Sequence, residues 1–242
     1  MWKSALTAEL PGMGRGVIPL LYNPAPATYG PSTYELLASA GVFLADLHQE
    51  LGRAVSSIDM QFYTFECDSV GQPIAQFLMA LDGMRIRRRM LIDQYINLAH
   101  NDKYMRVPRR DRELSRAIAS EWHATLRLID AMRGTNVQVR MTNPLGLLYY
   151  RALHRDHRKL VLIDADIPEK AVAYLGGINP SEHNAGWNDF MVKITGDAIP
   201  PLRPFNGLLS GVMAELSMVT DNPSLVFQLE RFLYDDIGAS QR

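Results

Sequence analysis

The sequence is short of several features that would each have fixed a class at once. It has a single cysteine, Cys67, in 242 residues, so no intrachain disulfide can form and nothing points to an oxidising compartment. A buried thiol is the plain expectation for it. No apolar run approaches the roughly 18 residues that a membrane-spanning helix needs, and the N-terminus lacks the basic-then-apolar order of a signal peptide. The chain therefore reads as soluble or peripheral. Charge of one sign is also missing: 25 Lys and Arg stand against 26 Asp and Glu, a net charge of −1. A protein that binds nucleic acid over a broad surface usually carries a basic excess, so nucleic acid is the less favoured partner. No internal repeat or low-complexity tract is present. What remains, 47% hydrophobic and 21% charged residues, is ordinary for a globular protein and long enough to bury one sizeable core.

Residues 1–31 hold so many prolines and glycines that an extended lead-in is expected, with a single domain over 32–242. Ser32 or Thr33 is placed to cap a helix in which Leu36, Leu37, Ala40, Phe43, Leu44 and Leu47 recur at helical spacing. A strand over 57–65, a polar turn, and a helix marked by Ile74, Phe77, Leu78 and Leu81 lead to a second strand, which is a parallel crossover unit. Arg85, Arg87, Arg88 and Arg89 on that second strand read as a solvated sheet edge rather than a phosphate trap. Residues 94–111 read as a polar loop, and 112–133 as a long helix. The apolar loop 145–150 suits either a groove for acyl chains or packing on that helix. Leu225, Phe227, Leu229, Phe232 and Leu233 mark a last amphipathic helix.

The chemistry concentrates in His157-Arg158-Lys159-Leu160-Val161-Leu162-Ile163-Asp164, then Gly176-Gly177-Ile178-Asn179, then Trp187-Asn188-Asp189. The apolar run 160–163 predicts a buried strand, on which His157 and Lys159 share a face. An imidazole can act as nucleophile or acid–base group, and an ammonium beside it can neutralise an oxyanion, a pairing suited to a phosphate ester. Asp164 has the opposite parity and is expected to be structural. Random placement would produce H-x-K-x4-D in about one chain in a hundred; G-G-x-N and W-x-D after it make coincidence far rarer. His154 and His157 are three apart, but with thiolates nearly absent no metal site is assigned.

In these residues the sequence resembles the phospholipase D superfamily, whose signature is H-x-K-x4-D followed by G-G-x-N or G-S-x-N. It looks most like the first half of bacterial cardiolipin synthases. Ile58 to Phe65 with Asp68 and Gly71 is similar to the family's opening strand, turn and helix; residues 87–93 and 137–140 are similar to its second and third strands. The resemblance covers about residues 57–215. It implies an α/β fold, a mixed sheet flanked by helices on both faces, and chemistry that needs neither metal nor cofactor.

The resemblance further implies phosphatidyl transfer of the cardiolipin synthase or phospholipase D type. His157 would attack phosphorus, Lys159 and Asn179 would hold the non-bridging oxygens, and main-chain N–H groups at Gly176 and Gly177 would assist. Asp189, ten residues after Asn179, would orient the nucleophile, with Glu66 and Glu182 as weaker candidates. Relatives carry two H-x-K motifs, whereas none of the other five histidines here begins one. A second motif is therefore expected from a homodimer or a separate partner half. The expected partners are a phospholipid and a membrane surface, with the protein cytoplasmic or peripheral at the inner membrane. The alternatives are a dimeric phosphodiesterase or nuclease, and a non-catalytic half of a split two-motif enzyme.

Overall fold

The computed structural model describes residues 31–94, 99–101, 104–105, 112–142 and 157–196. Within them the chain runs β1 (Ser32–Leu37), α1 (Ala40–Leu51), β2 (Ser57–Phe62), α2 (Gly71–Ala80), β3 (Arg87–Asp93), β4 (Ala99–Asn101), β5 (Tyr104–Met105), α3 (Arg112–Gly134), β6 (Gln138–Thr142), β7 (Lys159–Ile163), β8 (Val172–Gly176) and β9 (Met191–Gly196). Seven strands form one mixed sheet in the order β1-β9-β8-β7-β2-β3-β6. β2, β3 and β6 are parallel neighbours, as strands joined by helices must be. β7, β8, β9 and β1 are antiparallel neighbours, and β7 joins the halves by running antiparallel to β2. The fold class is α/β, as expected.

The pleat sorts side chains strictly between the two faces. Ile58, Met60, Phe62, Met90, Ile92, Val139, Val161, Ile163, Val172 and Tyr174 form one core with Phe43 and Leu47 of α1, Ile74 and Leu78 of α2, and Ile129 and Met132 of α3. Burying each of the larger side chains contributes about 1.5–3 kcal/mol. The three described helices thus share one face. On the other face Leu160, Leu162, Ala173, Val192 and Ile194 form a second apolar cluster with Tyr34, Leu36 and Phe190. The lead-in, the apolar loop 145–150 and the helix expected near 225–233 lie outside the described residues.

Four local expectations need correction. Residues 32–37 are a strand paired with β9, because Tyr34 and Leu36 face the sheet's second apolar cluster while Thr33 and Glu35 are exposed. The helix begins after Ser39, whose Oγ accepts from Val42 N. β3 is an interior strand rather than an edge, and its arginines are engaged: Arg89 makes a two-bond fork with the Asp59 carboxylate, both contacts 2.6 Å, and Arg88 donates to Leu78 O. That fork raises the Arg89 pKa above its ordinary value. Finally, part of the expected loop 94–111 is the two-stranded β4–β5 ladder, and Cys67 is half-buried rather than buried.

Two polar devices hold the sheet in register. Asp164, buried and in the left-handed region at φ 49°, ends β7 by accepting from Val55 N, Ser56 N and Ser57 N at 2.7–3.2 Å. Its own N–H donates to Ser57 O. Under α1, Tyr174 donates to Asp46 at 2.6 Å, and Lys193 bridges Asp46 and Glu50 at 2.9 and 3.0 Å. Burial, reinforced by the Asp46 bond, pushes the Tyr174 phenol far above its usual range. For Lys193 burial pulls downward, yet the bonds to Asp46 and Glu50 outweigh it and the net shift is upward.

Removing the Asp164 carboxylate leaves three backbone donors without it, so Asp164→Ala is expected to lose about 3 kcal/mol in urea unfolding. Asp164→Asn, which keeps one acceptor oxygen and tolerates the left-handed conformation, should lose about half of that. The pKa values of Tyr174 and Lys193 are both raised on folding. Their stabilisation is therefore complete below the unfolded values near pH 10 and is lost as pH rises beyond them. Unfolding measured from pH 7 to 11 should show this alkaline loss, and Tyr174→Phe should make it shallower.

Candidate active site

The spacing of the motifs becomes intelligible once β7 and β8 are paired. Lys159 at the start of β7 stands opposite Gly176 at the end of β8. One hairpin therefore brings the first motif and the glycine pair to the same edge of the sheet. This edge also receives the end of β2, which runs antiparallel to β7, and the start of β9. Asp164 lies at the opposite end of β7, a five-residue strand, about 17 Å away at the usual strand rise. H-x-K-x4-D is thus one strand with the histidine and lysine at one end and the carboxylate at the other.

His157 lies two residues ahead of the strand and is half-buried. Its ring meets the Tyr63 ring edge-on, with centroids 4.7 Å apart. Lys159 is only 2% exposed, and its ammonium donates to His157 O at 2.7 Å while sitting 5.4 Å from the Tyr63 ring centre. A cation so far removed from water needs such contacts. Asn179, also buried, accepts from Thr64 N through Oδ1 at 3.2 Å. Since a backbone N–H can only donate, the amide orientation is fixed, and the group Asn179 can offer a ligand is its NH2 donor.

The glycine pair has a steric purpose. A Cβ on Gly176 would come within 2.2 Å of Phe190 O, and one on Gly177 within 2.0 Å of the Asp189 carboxylate. The Gly177 N–H, expected to assist with phosphate, donates instead to Phe190 O, because β9 approaches too closely to leave it open. Gly177 therefore makes room for Asp189, whose Oδ1 accepts from Phe190 N at 2.8 Å. Of the weaker acidic candidates, Glu66 faces His183 Nδ1 at 3.4 Å and Glu182 accepts from Ser69 Oγ.

Sequence reasoning missed Tyr63 and Thr64 as site residues. β2 is shorter than the predicted strand 57–65, and Tyr63, Thr64 and Phe65 leave the ladder to turn over the edge. The end of a strand entering a polar turn was the available signal. Asp68 joins this turn to the loop after Asn179, accepting from Val70 N, Gly71 N and Glu182 N. Among the described residues Thr64 Oγ1, Glu66 Oε1, Ser181 Oγ and Asn184 Oδ1 are buried without a hydrogen-bond partner. All four belong to these two loops, and such groups are costly anywhere but concentrate at functional sites. The described residues contain no group of three or more side chains arranged to hold a metal ion, and no helix long and apolar enough to cross a membrane.

No family model matches the chain. Among curated proteins it is similar to the cardiolipin synthase of Clostridium perfringens strain 13, 26% identical over 178 residues, covering 69% of this chain and 31% of that one. It is also similar to the cardiolipin synthase of Staphylococcus aureus strain N315, 24% identical over 191 residues, covering 76% of this chain and 33% of that one. The chain thus spans about a third of the length of these relatives. A solved structure, Nuc of Salmonella typhimurium, described as a phospholipase D family member, aligns over 71% of this chain and 87% of that one with a TM-score of 0.42 and 15% identity. A match covering 69% of 242 residues cannot avoid the stretch from His157 to Asp164. With cardiolipin synthases among the proteins it is similar to, and with His157, Lys159 and G-G-x-N brought to one sheet edge by a single hairpin, the chain resembles the phospholipase D superfamily.

Proposed function

We propose that this chain carries half of a phosphatidyltransferase site of the cardiolipin synthase or phospholipase D type, acting on a phospholipid phosphodiester. The observation that carries the reading is the grouping of a histidine, a buried ammonium and an amide with its oxygen already engaged at one strand edge. In the proposed reaction an imidazole nitrogen of His157 attacks phosphorus, a P–N bond forms, and the P–O bond to the leaving alcohol breaks. Lys159 Nζ and Asn179 Nδ2 hold the non-bridging oxygens, where negative charge concentrates. An acid is needed to protonate the departing oxygen. The same group, now a base, takes the proton of the incoming alcohol as its oxygen displaces His157. Asp189 is the carboxylate assigned to orient the nucleophile.

That second acid–base group is proposed to be another copy of His157. A two-fold axis, the commonest symmetry of oligomers, would set two copies about one phosphate; a separate partner half could supply the same group. The substrate makes a membrane surface the proposed workplace, reached from the cytoplasmic side as a peripheral protein.

His157→Ala should lower turnover of phosphatidylglycerol vesicles by at least about a thousandfold while leaving the melting temperature unchanged, because the covalent path itself is lost. Acid-labile phosphate on His157 of the wild type, trapped during turnover, would accompany this. Near-normal activity in folded His157→Ala would remove the assignment. Titrating wild-type chain with His157→Ala chain should depress activity per wild-type chain as mixed dimers form. Undiminished activity in a demonstrably monomeric sample would rule out a shared site.

A further inference from the structure

We infer that the tip of the loop between β8 and β9, with the Trp187 indole at its centre, is the surface by which this chain docks on a lipid bilayer. The inference rests on the reading of a phospholipid substrate and begins from the place of one side chain. Gly176 ends β8 and Met191 begins β9, and both stand in the row of Lys159. The loop between them therefore leaves the catalytic edge and returns to it. At its tip Ala185, Gly186, Trp187 and Asn188 are all exposed, and none of them is charged. Trp187 is 52% exposed, although an indole carries one of the largest apolar surfaces of any side chain. Its ring meets the His183 ring edge-on, with centroids 6.1 Å apart.

A single exposed apolar side chain is ordinary on a protein surface, so its position has to carry the argument. Among the described residues the other large exposed apolar side chains are Val42, Val55 and Met84. Val55 and Met84 lie at the Asp164 end of the sheet: Val55 N donates to the Asp164 carboxylate, and Met84 precedes β3, whose first residue pairs with Ser57. Val42 is in the first turn of α1, which follows the end of β1 at the catalytic edge. Only the indole joins a large apolar area to a polar N–H, the combination that settles at the level of lipid headgroups. The loop beneath it is tied. Glu182 N donates to Asp68 at 2.6 Å, and Ala185 N and Trp187 N donate to Glu182 O and Asn184 O, each at 3.1 Å. The indole is thus held at the surface before a membrane is met, which lowers the ordering cost of insertion. With an uncharged tip and a net charge of −1, apolar burial supplies the attraction. An exposed indole can also stack on a nucleobase, but the missing basic excess disfavours that partner. A bilayer seated on the tip brings lipid phosphodiesters to the edge that carries His157 and Lys159.

The test uses the full chain with vesicles of phosphatidylcholine and phosphatidylglycerol, plain or with brominated acyl chains that quench a nearby indole. The chain has three tryptophans, and Trp187 should carry the quenching. Brominated vesicles should therefore dim the wild type and quench Trp187→Phe at least about threefold less. In cosedimentation Trp187→Ser should bind the vesicles about tenfold more weakly at an unchanged melting temperature, with Trp187→Phe between it and the wild type. Should the serine variant fail to fold, the quenching comparison decides alone, since phenylalanine keeps a ring at that position. Equal quenching of wild type and Trp187→Phe overturns the inference, as does wild-type vesicle binding by folded Trp187→Ser or no vesicle binding by the wild type. Emission that responds to a single-stranded oligonucleotide and not to vesicles also overturns it and makes the tip a base-stacking surface. If vesicles bind through Trp187 but their phosphatidylglycerol is left unchanged, the phosphatidyltransferase reading fails and the docking surface stands.

Discussion

The arrangement depends on the register of β7 between β2 and β8. A one-residue slip of a strand reverses every side chain on it. Here a slip would exchange Val161 and Ile163, which pack on the helices, for Leu160 and Leu162, which belong to the opposite cluster. Both faces of β7 are apolar, so hydrophobicity alone discriminates weakly between registers. Asp164 supplies the discrimination. Its carboxylate fits only where three successive N–H groups of residues 55–57 converge, and that fit sets β7 against β2 with Ile163 opposite Ile58.

A division of labour follows along one short strand. The carboxylate end carries three backbone bonds to residues 55–57, and the histidine end carries the imidazole and ammonium of the motif. Buried oxygens without protein partners collect on the two loops over the histidine end, while the Asp46–Tyr174–Lys193 network and the Asp59–Arg89 fork complete their bonds away from it. Stability is thus concentrated in the sheet and polar capacity at its edge, as in other α/β proteins whose sites lie beyond the strand ends.

The motif and its strand were legible in the sequence because they rest on local pattern: an apolar run bounded by a spaced histidine, lysine and aspartate. The crossover from β2 through α2 to β3 was legible for the same reason. β1 was misread because Leu36 and Leu37 are adjacent, so one of them fits a helical stripe whichever structure forms. The β3 arginines looked like an edge because β6, which covers the far side of β3, and the cross-strand match of Arg89 to Asp59 appear only once the register is known. Tyr63 and the closeness of Gly177 to Asp189 escaped for a like reason: each is a contact between loops, and neither periodicity nor composition records such contacts.

The separation of Asp164 from its partners, 107 to 109 residues along the chain, bears on the order in which the molecule assembles. The β7–β8 hairpin joins near neighbours and can close early, whereas docking β2 against it must close a loop of about a hundred residues. Tyr63 and Thr64 arrive with β2. On loop-closure entropy alone, His157 and Lys159 therefore stand on the hairpin before β2 brings Tyr63 and Thr64 to them, while the β1–β9 pairing, which spans a still longer stretch of chain, is the costliest closure in the sheet.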